Sequence, residues 1–233
     1  MEAFSILYRY TLLNGHQEEF PLRLHPETLV LMENRPPELP KWSRLAFHKC
    51  SNCPRRKAKN PACAVAVNLV DLVSRFEGLT SYDELFVEVE TPERVYYKKT
   101  SAQRGISSLM GLLIAASECP LTDFFKPMAR FHLPFATEEE TIWRATSTYM
   151  LGQYFARQAG RSVDFEMSGL EKVYRDIQQL NRALAQRLRA ACEADSPVNA
   201  VIILDAFAKS LPTVIAGSLE QIRYAFQPTL KSR

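Results

Sequence analysis

The stretch FSILYRYTLLNG at residues 4–15 decides the first part of the fold. Apolar residues recur at every second position in it, which is the period of a β-strand with one buried face. It ends in Asn14-Gly15, the strongest short hairpin signal. The alternation resumes over Phe20–Leu24, and a third strand is predicted over Thr28–Met32. Residues 1–40 are therefore predicted to form a small antiparallel β meander followed by a linker.

Residues 41–134 carry signals of both strands and helices. Asn60-Pro61 indicates a helix start, because asparagine is a good N-cap and proline is favoured at the first helical position. A hairpin is predicted over Phe86–Lys99, and a strongly apolar helix over Gln103–Glu118. This segment is interpreted as a cysteine-rich α/β junction.

The composition changes near residue 135. Eleven of the fourteen prolines and four of the five cysteines lie at or before Pro134. Thr137–Glu140 is a capping box that opens a helix, Leu170–Ala191 has the period of a long amphipathic helix, and the last helices are expected to break at Pro212. The predicted class is therefore α+β with a helical C-terminal half, 135–233, and 41–233 can also be interpreted as one domain.

Charge and hydropathy argue against two classes of partner. The formal net charge of +3 over 233 residues is too small to indicate a nucleic-acid partner. The first ten residues lack the basic region of a secretory signal. The most apolar stretch, Val198–Leu219, is interrupted by charges and a proline, so no membrane span is predicted. We therefore expect a cytoplasmic protein with reduced cysteines, which suggests metal binding or catalysis before disulfides.

Four cysteines form the candidate site. Cys50 and Cys53 are a Cys-x2-Cys pair, and such a short loop can turn both sulfurs toward one metal. Cys63 is predicted to be the third residue of its helix, where the helix N-terminus favours a thiolate. Cys119 lies at the far end of the apolar helix. The sequence predicts that these four thiolates bind one metal centre, whereas Cys192 is interpreted as a packed thiol.

The favoured metal centre is a [4Fe–4S] cluster, with Zn²⁺ as the alternative. Cys53 and Cys119 are each followed by proline, and a Cys-Pro step recurs at iron–sulfur ligands. The basic run Arg55–Lys59 could offset the charge of an anionic cluster. Four protein ligands would saturate the metal, so the expected role is structural, redox or sensory rather than enzymatic.

Other interpretations of the cysteines stay open from the sequence. They could be incidental reduced thiols in a helical interaction or scaffold protein that binds an unknown protein partner. Cys50 and Cys53 could be a redox dithiol, or His48 could replace one cysteine as a ligand. A thiol enzyme could use Cys119 or Cys53 with His132.

Further charged residues have an ordinary and a functional interpretation. Lys98, Lys99 and Arg104 could bind an anion near the start of the Gln103 helix, although a solvated face is more common for such residues. His132 could be a proton carrier, although a buried histidine with satisfied hydrogen bonds is more common. The sequence contains no nucleotide-binding or hydrolase motif.

Four stretches together carry a resemblance to other proteins. They are Tyr8–Gly15, Phe47–Pro54, Glu118–Pro120 and Lys126–Phe135. With their Cys-x2-Cys-Pro and Glu-Cys-Pro motifs, they resemble a family of uncharacterised bacterial cytoplasmic proteins, a domain of unknown function. That family has no assigned activity, so the resemblance implies no mechanism.

Overall fold

The computed structural model describes residues 2–32, 38–56, 58–192, 195–217 and 219–231. Within these ranges an antiparallel sheet is followed by helices, which confirms the predicted α+β class. The strands are β1 (Phe4–Leu12), β2 (Gln17–Leu24), β3 (Leu31–Met32), β4 (Glu84–Glu90) and β5 (Val95–Ser101). The α-helices are α1 (Ala64–Arg75), α2 (Ala102–Ala115), α3 (Lys126–Arg130), α4 (Glu138–Gln158), α5 (Ser168–Arg189), α6 (Ser196–Ala216), α7 (Glu220–Arg223) and α8 (Gln227–Lys231). Short 3₁₀ helices cover Lys41–Ser43, Pro120–Phe125 and Tyr224–Phe226.

The strands form one sheet in the order β3-β2-β1-β4-β5. The two predicted hairpins are confirmed, because β1 pairs with β2 and β4 pairs with β5. Strand β1 lies at the centre of the sheet and pairs with β4, so the predicted meander of residues 1–40 is continuous with a strand at residues 84–90. The third strand covers only Leu31–Met32, which is shorter than the predicted Thr28–Met32. Of the predicted linker, residues 33–37 lie outside the described ranges.

One face of the sheet is buried and the other meets solvent, as is common for antiparallel sheets. Ile6, Tyr8 and Tyr10 of β1 are almost fully buried, together with Leu85, Val87 and Val89 of β4. On the opposite face, Arg9 forms ion pairs with Glu19 and Glu88. Helix α2 packs against the buried face, and α6 packs against both α2 and α5. The predicted capping box at Thr137 is confirmed at the start of α4. The predicted long amphipathic helix is confirmed as α5.

The prediction that a helix starts at Asn60-Pro61 is wrong, since α1 begins at Ala64 with Cys63 as its N-cap. Backbone hydrogen bonds hold the preceding residues extended against a distant segment. Cys63 N donates to Ser43 O at 2.8 Å, and Leu45 N donates to Pro61 O at 2.9 Å. Local capping signals cannot report such long-range pairing.

The prediction that the last helices break at Pro212 is also wrong, because α6 runs through it. Proline has no N–H, so the carbonyl four residues earlier, that of Ala208, loses its helical donor. Gln178 Nε2 of α5 donates to Ala208 O at 2.9 Å instead. Leu211 and Ile215 stay buried on both sides of the proline. The helix stays continuous because the Gln178 side chain replaces the missing hydrogen bond and because Leu211 and Ile215 remain packed in the core.

Within the described residues, α6 is long and apolar enough to cross a membrane by length and composition. Helix α2 and the segment Pro120–Arg130, bent by 114° relative to each other, pass the same test as a pair. Core helices of soluble proteins also pass it, so the test is weak evidence for a membrane span.

Two glycines of α2 provide a matched pair of substitutions. A Cβ at Gly105 would come within 3.0 Å of Val87 Cγ2, whereas a Cβ at Gly111 would meet only Leu204 Cδ2, at 3.5 Å. We expect Gly105→Ala to lower the free energy of unfolding by about 1–3 kcal/mol through overpacking. Gly111→Ala should raise it by about 0.5–1 kcal/mol, because alanine restricts the unfolded chain more than glycine does. Urea denaturation measures both, and a stabilised Gly105→Ala would contradict the packing.

Candidate functional site

Four of the five cysteines line one small cavity. Cys50, Cys53, Cys63 and Cys119 surround it, and we name it the four-cysteine cavity. Its volume is about 20 Å³, which is room for about one water molecule. All four are free thiols, and Cys119 is the most buried of them. The structure therefore brings together all four residues that the sequence predicted as ligands.

The Cys50–Cys53 loop is a tight turn fixed to α5. Cys53 N donates to Cys50 O at 3.1 Å, which closes the turn. Two side chains inside the loop reach α5, with Ser51 Oγ to Gln179 Oε1 at 2.5 Å and Asn52 Nδ2 to Asp176 Oδ1 at 3.0 Å. His48, just before the loop, has a left-handed backbone with φ of 41°. Such a conformation is costly outside glycine and is found where the surroundings impose it.

Cys63 and Cys119 both lie where the chain enters a helix. Cys63 is the N-cap of α1 rather than the predicted third helical residue. Cys119 precedes the 3₁₀ helix Pro120–Phe125, and its carbonyl accepts hydrogen bonds from Thr122 N and Oγ1. Helix N-termini favour negative charge, so the position of Cys63 suits a thiolate.

Arg55 joins the Cys50–Cys53 loop to the turn that follows α2, which ends at Ala115 rather than at the predicted Glu118. Its Nη2 donates to Glu118 O, the residue before Cys119, and its Nη1 donates to Asn60 Oδ1 at 3.3 Å. Of the basic run predicted to offset a cluster, only Arg55 lines the four-cysteine cavity among its described members. Arg56 and Lys59 are exposed, and Lys57 lies outside the described residues.

Arg187 of α5 is a buried cation at the wall of the four-cysteine cavity. Only 2% of the residue is exposed. Its guanidinium donates to three backbone carbonyls, those of Trp42 at 2.6 Å, Arg44 at 2.8 Å and Leu45 at 3.2 Å. Within the described part of the chain its partners are these carbonyls and no carboxylate. Among the described residues, no carboxylate therefore compensates the positive charge beside the thiols.

Two of the four thiols, those of Cys50 and Cys119, are held in their protonated form. Burial raises the pKa of Cys50 to about 12, the three neighbouring thiols add to this rise, and the Arg187 charge opposes it. Burial also raises the pKa of Cys119 to about 11. Among the described residues, no three or more histidine, cysteine, aspartate or glutamate side chains are gathered tightly enough to hold a metal ion as they stand. The thiols thus share a cavity without closing on a common point.

The other candidate residues lie apart from the four-cysteine cavity. His48 is exposed and its ring packs edge-on against Phe47 at 4.8 Å. Cys192 is half-buried and does not line the cavity. His132 lines a different cavity, so the structure does not bring it to Cys53 or Cys119.

A second cavity of about 480 Å³ lies among α2, α4, α5, α6 and the chain around His132. Lys98 and Arg104, two of the three residues predicted as an anion site, line it. The third, Lys99, instead pairs with Glu84 at 2.8 Å. The volume is in the range of small-molecule sites.

His132 is held in the second cavity by a chain of hydrogen bonds. Its Nε2 lies 2.5 Å from Tyr8 Oη, and Tyr8 Oη lies 2.8 Å from Ser108 Oγ. Burial lowers the pKa of His132 to about 3, and the positive charge of Arg144 on α4 lowers it further. The ring is therefore neutral near pH 7, and its partner is a side chain rather than the backbone.

The depressed pKa of His132 predicts a loss of stability in acid. In the unfolded chain histidine titrates near 6.5, so below that pH only the unfolded state takes up this proton. Stability should fall between about pH 6.5 and 3, by up to about 1.4 kcal/mol per pH unit. We expect His132→Gln, which keeps an acceptor for Tyr8, to flatten this slope in denaturation measured from pH 7 to pH 4. Equal slopes in both proteins would contradict the assignment.

Sequence reasoning missed Arg187, Arg144, Tyr174 and Asn181. A signal existed for those on α5, because Asn181 and Arg187 occupy positions where the apolar three-four pattern of that helix would place a buried residue. Polar residues on a buried stripe must be bonded or functional. No comparable signal marks Arg144 on α4, whose apolar pattern is weak.

Fold and cavity together define an α+β protein in which four free thiols, one buried and three half-buried, surround one small void together with a buried cation. A family model described as a domain of unknown function (DUF6901) matches residues 6–227. The chain belongs to this family, which confirms the predicted membership of a family of unknown function. No curated protein and no solved structure matches the chain.

Proposed function

We propose that the protein binds a metal centre through Cys50, Cys53, Cys63 and Cys119. The observation that carries the proposal is that four thiols from three separate segments line one small cavity, while the fifth cysteine lies elsewhere. Thiolates at a Cys-x2-Cys turn and at helix starts are typical ligands of zinc and of iron–sulfur clusters.

The charge of Arg187 supports the proposal independently. An unpaired buried charge costs several kcal/mol, so a buried cation needs an anionic neighbour. Neutral thiols do not provide one. A metal centre held by four thiolates carries a net negative charge, and it would lie in the cavity that Arg187 lines. Metal binding would thus compensate the guanidinium while the metal compensates the thiolates.

The first candidate for the metal is a [4Fe–4S] cluster, and Zn²⁺ is the alternative. Pro54 and Pro120 follow two of the ligands, as at many cluster ligands. Against this, the void of about 20 Å³ admits a single ion more easily than a cluster.

Four protein ligands would leave the metal no open position, so the proposed role is structural, redox or sensory and not enzymatic. Free thiols at this site fit a reducing compartment, and the cytoplasm is the proposed location.

The test is purification without oxygen, followed by elemental analysis, sulfide determination and a visible spectrum. We expect about four iron and four sulfide per chain. If zinc is found without sulfide, the metal is Zn²⁺ and not a [4Fe–4S] cluster. Protein that is free of both metals, even after supplying iron, sulfide and zinc, would reject the proposed site.

The cysteines provide their own matched control. Cys50→Ser, Cys53→Ser, Cys63→Ser and Cys119→Ser should each lose most of the metal. Cys192→Ser removes a half-buried thiol outside the cavity and should keep it. Equal retention in all five variants would show that the metal binds elsewhere.

A further inference from the structure

The second cavity has an apolar body. Its wall includes Leu112 of α2, Met128 of α3 and Phe207 of α6. Its apolar lining is several times larger than its polar lining. At about 480 Å³ it is large enough for a small organic molecule. Burial of an apolar group there would remove it from water and favour binding.

The charges at the second cavity are mostly positive. Lys98 of β5 and Arg104 of α2 are exposed and also line the cavity, so they lie at its opening. Arg144 of α4 lies further inside and is half-buried. Glu138 is the single carboxylate among the described lining residues. Three cations and one anion favour a negatively charged ligand.

Arg144 is positioned by the backbone rather than by a counter-ion. Its Nη2 donates to Met128 O at 2.7 Å and to Phe131 O at 3.3 Å. Among the described residues no carboxylate forms an ion pair with it, and burial lowers its pKa. The carbonyl bonds fix one edge of the guanidinium. The carboxylate of Glu140 acts on Arg144 at a distance and is bonded to Thr137 N, so a ligand carboxylate would supply a direct charge partner.

Two buried polar side chains of α5 lie on the same cavity wall. Tyr174 and Asn181, 4% and 2% exposed, are separated by Ile177 at helical spacing. Asn181 Nδ2 is a buried donor without a partner among the described residues. The hydroxyl of Tyr174 lies close enough to Arg144 to feel its charge. Unbonded buried polar groups are rare in folded proteins and indicate a missing partner.

The loop that closes the second cavity contains a strained residue. Phe135 has a left-handed backbone with φ of 59°. Its N–H donates to Ser108 Oγ at 3.2 Å, and Lys98 Nζ lies 5.7 Å from its ring. Such strain in a non-glycine residue is maintained where surroundings impose it, frequently at binding sites.

We propose that the second cavity binds a small carboxylate with an apolar body, such as a medium-chain fatty acid. The carboxylate pairs with Arg144 and is attracted by Lys98 and Arg104 at the opening. The apolar body fills the space between α2 and α6. A monoanion matches the single buried guanidinium better than a phosphate dianion does. This site is separate from the four-cysteine cavity and does not depend on a metal there.

The test uses matched eight-carbon probes with the protein as purified, measured by isothermal titration calorimetry. Octanoate should bind saturably and at least about tenfold more tightly than the neutral octanamide. Affinity should rise about fourfold per added methylene from hexanoate to decanoate, until the cavity is filled. Octyl phosphate tests whether the cavity prefers a phosphate to a carboxylate. If octyl phosphate bound more than tenfold more tightly than octanoate, the carboxylate assignment would be overturned.

Neighbouring lysines on opposite faces of β5 provide a matched control. Lys98→Met should weaken octanoate binding about threefold or more, whereas Lys99→Met should leave it unchanged. Arg144→Gln should weaken it more than tenfold, but it also removes bonds to two carbonyls. Asn181→Leu therefore provides a second variant, which should keep the fold and alter octanoate affinity. Equal affinity for octanoate and octanamide, or no binding by any chain length, would overturn the proposal.

Discussion

Replacing Arg187 by methionine should lower the free energy of unfolding by about 1–3 kcal/mol for each buried carbonyl that loses its donor, less the cost of burying the charge that methionine no longer carries. The residue is almost fully buried, and its guanidinium bonds three carbonyls of the 42–45 segment. Methionine fills similar space but leaves those carbonyls without donors, and unpaired buried acceptors carry the full cost of desolvation. Chemical denaturation followed by circular dichroism measures the difference.

Arg182 provides the matched control because it lies on the same helix and is exposed. Arg182→Met should change stability by less than about 0.5 kcal/mol. Arg187→Lys keeps the charge but not the planar fork that reaches several carbonyls, so an intermediate loss is expected. If Arg187→Met were as stable as Arg182→Met, the buried guanidinium would not hold α5 to the 42–45 segment.

If the proposed metal centre is present, its removal should lower the melting temperature of the protein by at least about 10 °C. The proposed ligands come from three segments, so the metal would join the Cys50–Cys53 loop, the start of α1 and the start of the 3₁₀ helix Pro120–Phe125. Its binding energy then contributes directly to the free energy of folding. Differential scanning calorimetry measures the shift in melting temperature before and after the metal is removed. A chelator removes zinc, and a chelator together with an oxidant removes a cluster.

Reconstitution is the control for that measurement. Returning the metal should restore the melting temperature, and Cys192→Ser should behave like the parent protein in both states. A metal-free protein that melts at the same temperature as the loaded protein would reject a stabilising role.

Local patterns predicted the elements whose boundaries are set locally. The alternation in β1 and β2 and the hairpin of β4 and β5 appear as predicted, and so does the capping box at Thr137. The start of α1 was misplaced because pairing of Cys63 with Ser43 decides it. The continuity of α6 was missed because a side chain of another helix, Gln178, replaces the bond that Pro212 removes.

The candidate sites show the same division. Residue type and spacing predicted which four cysteines would line one cavity. The position of Arg187 on the apolar stripe of α5 could have marked it as buried, but its partners, the carbonyls of the 42–45 segment, are far away in the sequence and no local pattern reports them. Arg144 lies on a helix with a weak apolar pattern, so its burial has no comparable signal. Lys98 was undecided between an anion site and a solvated face, and its register opposite Val87 places it on the buried side of β4–β5.

The central position of β1 has a consequence for synthesis on the ribosome. Leu7 pairs with Glu90, so the first strand lacks one of its neighbours until more than a third of the protein has emerged. During that interval its free edge and the aromatic rings of Tyr8 and Tyr10 are open to other chains. Nascent or truncated forms that end before β4 are therefore the forms most prone to aggregation.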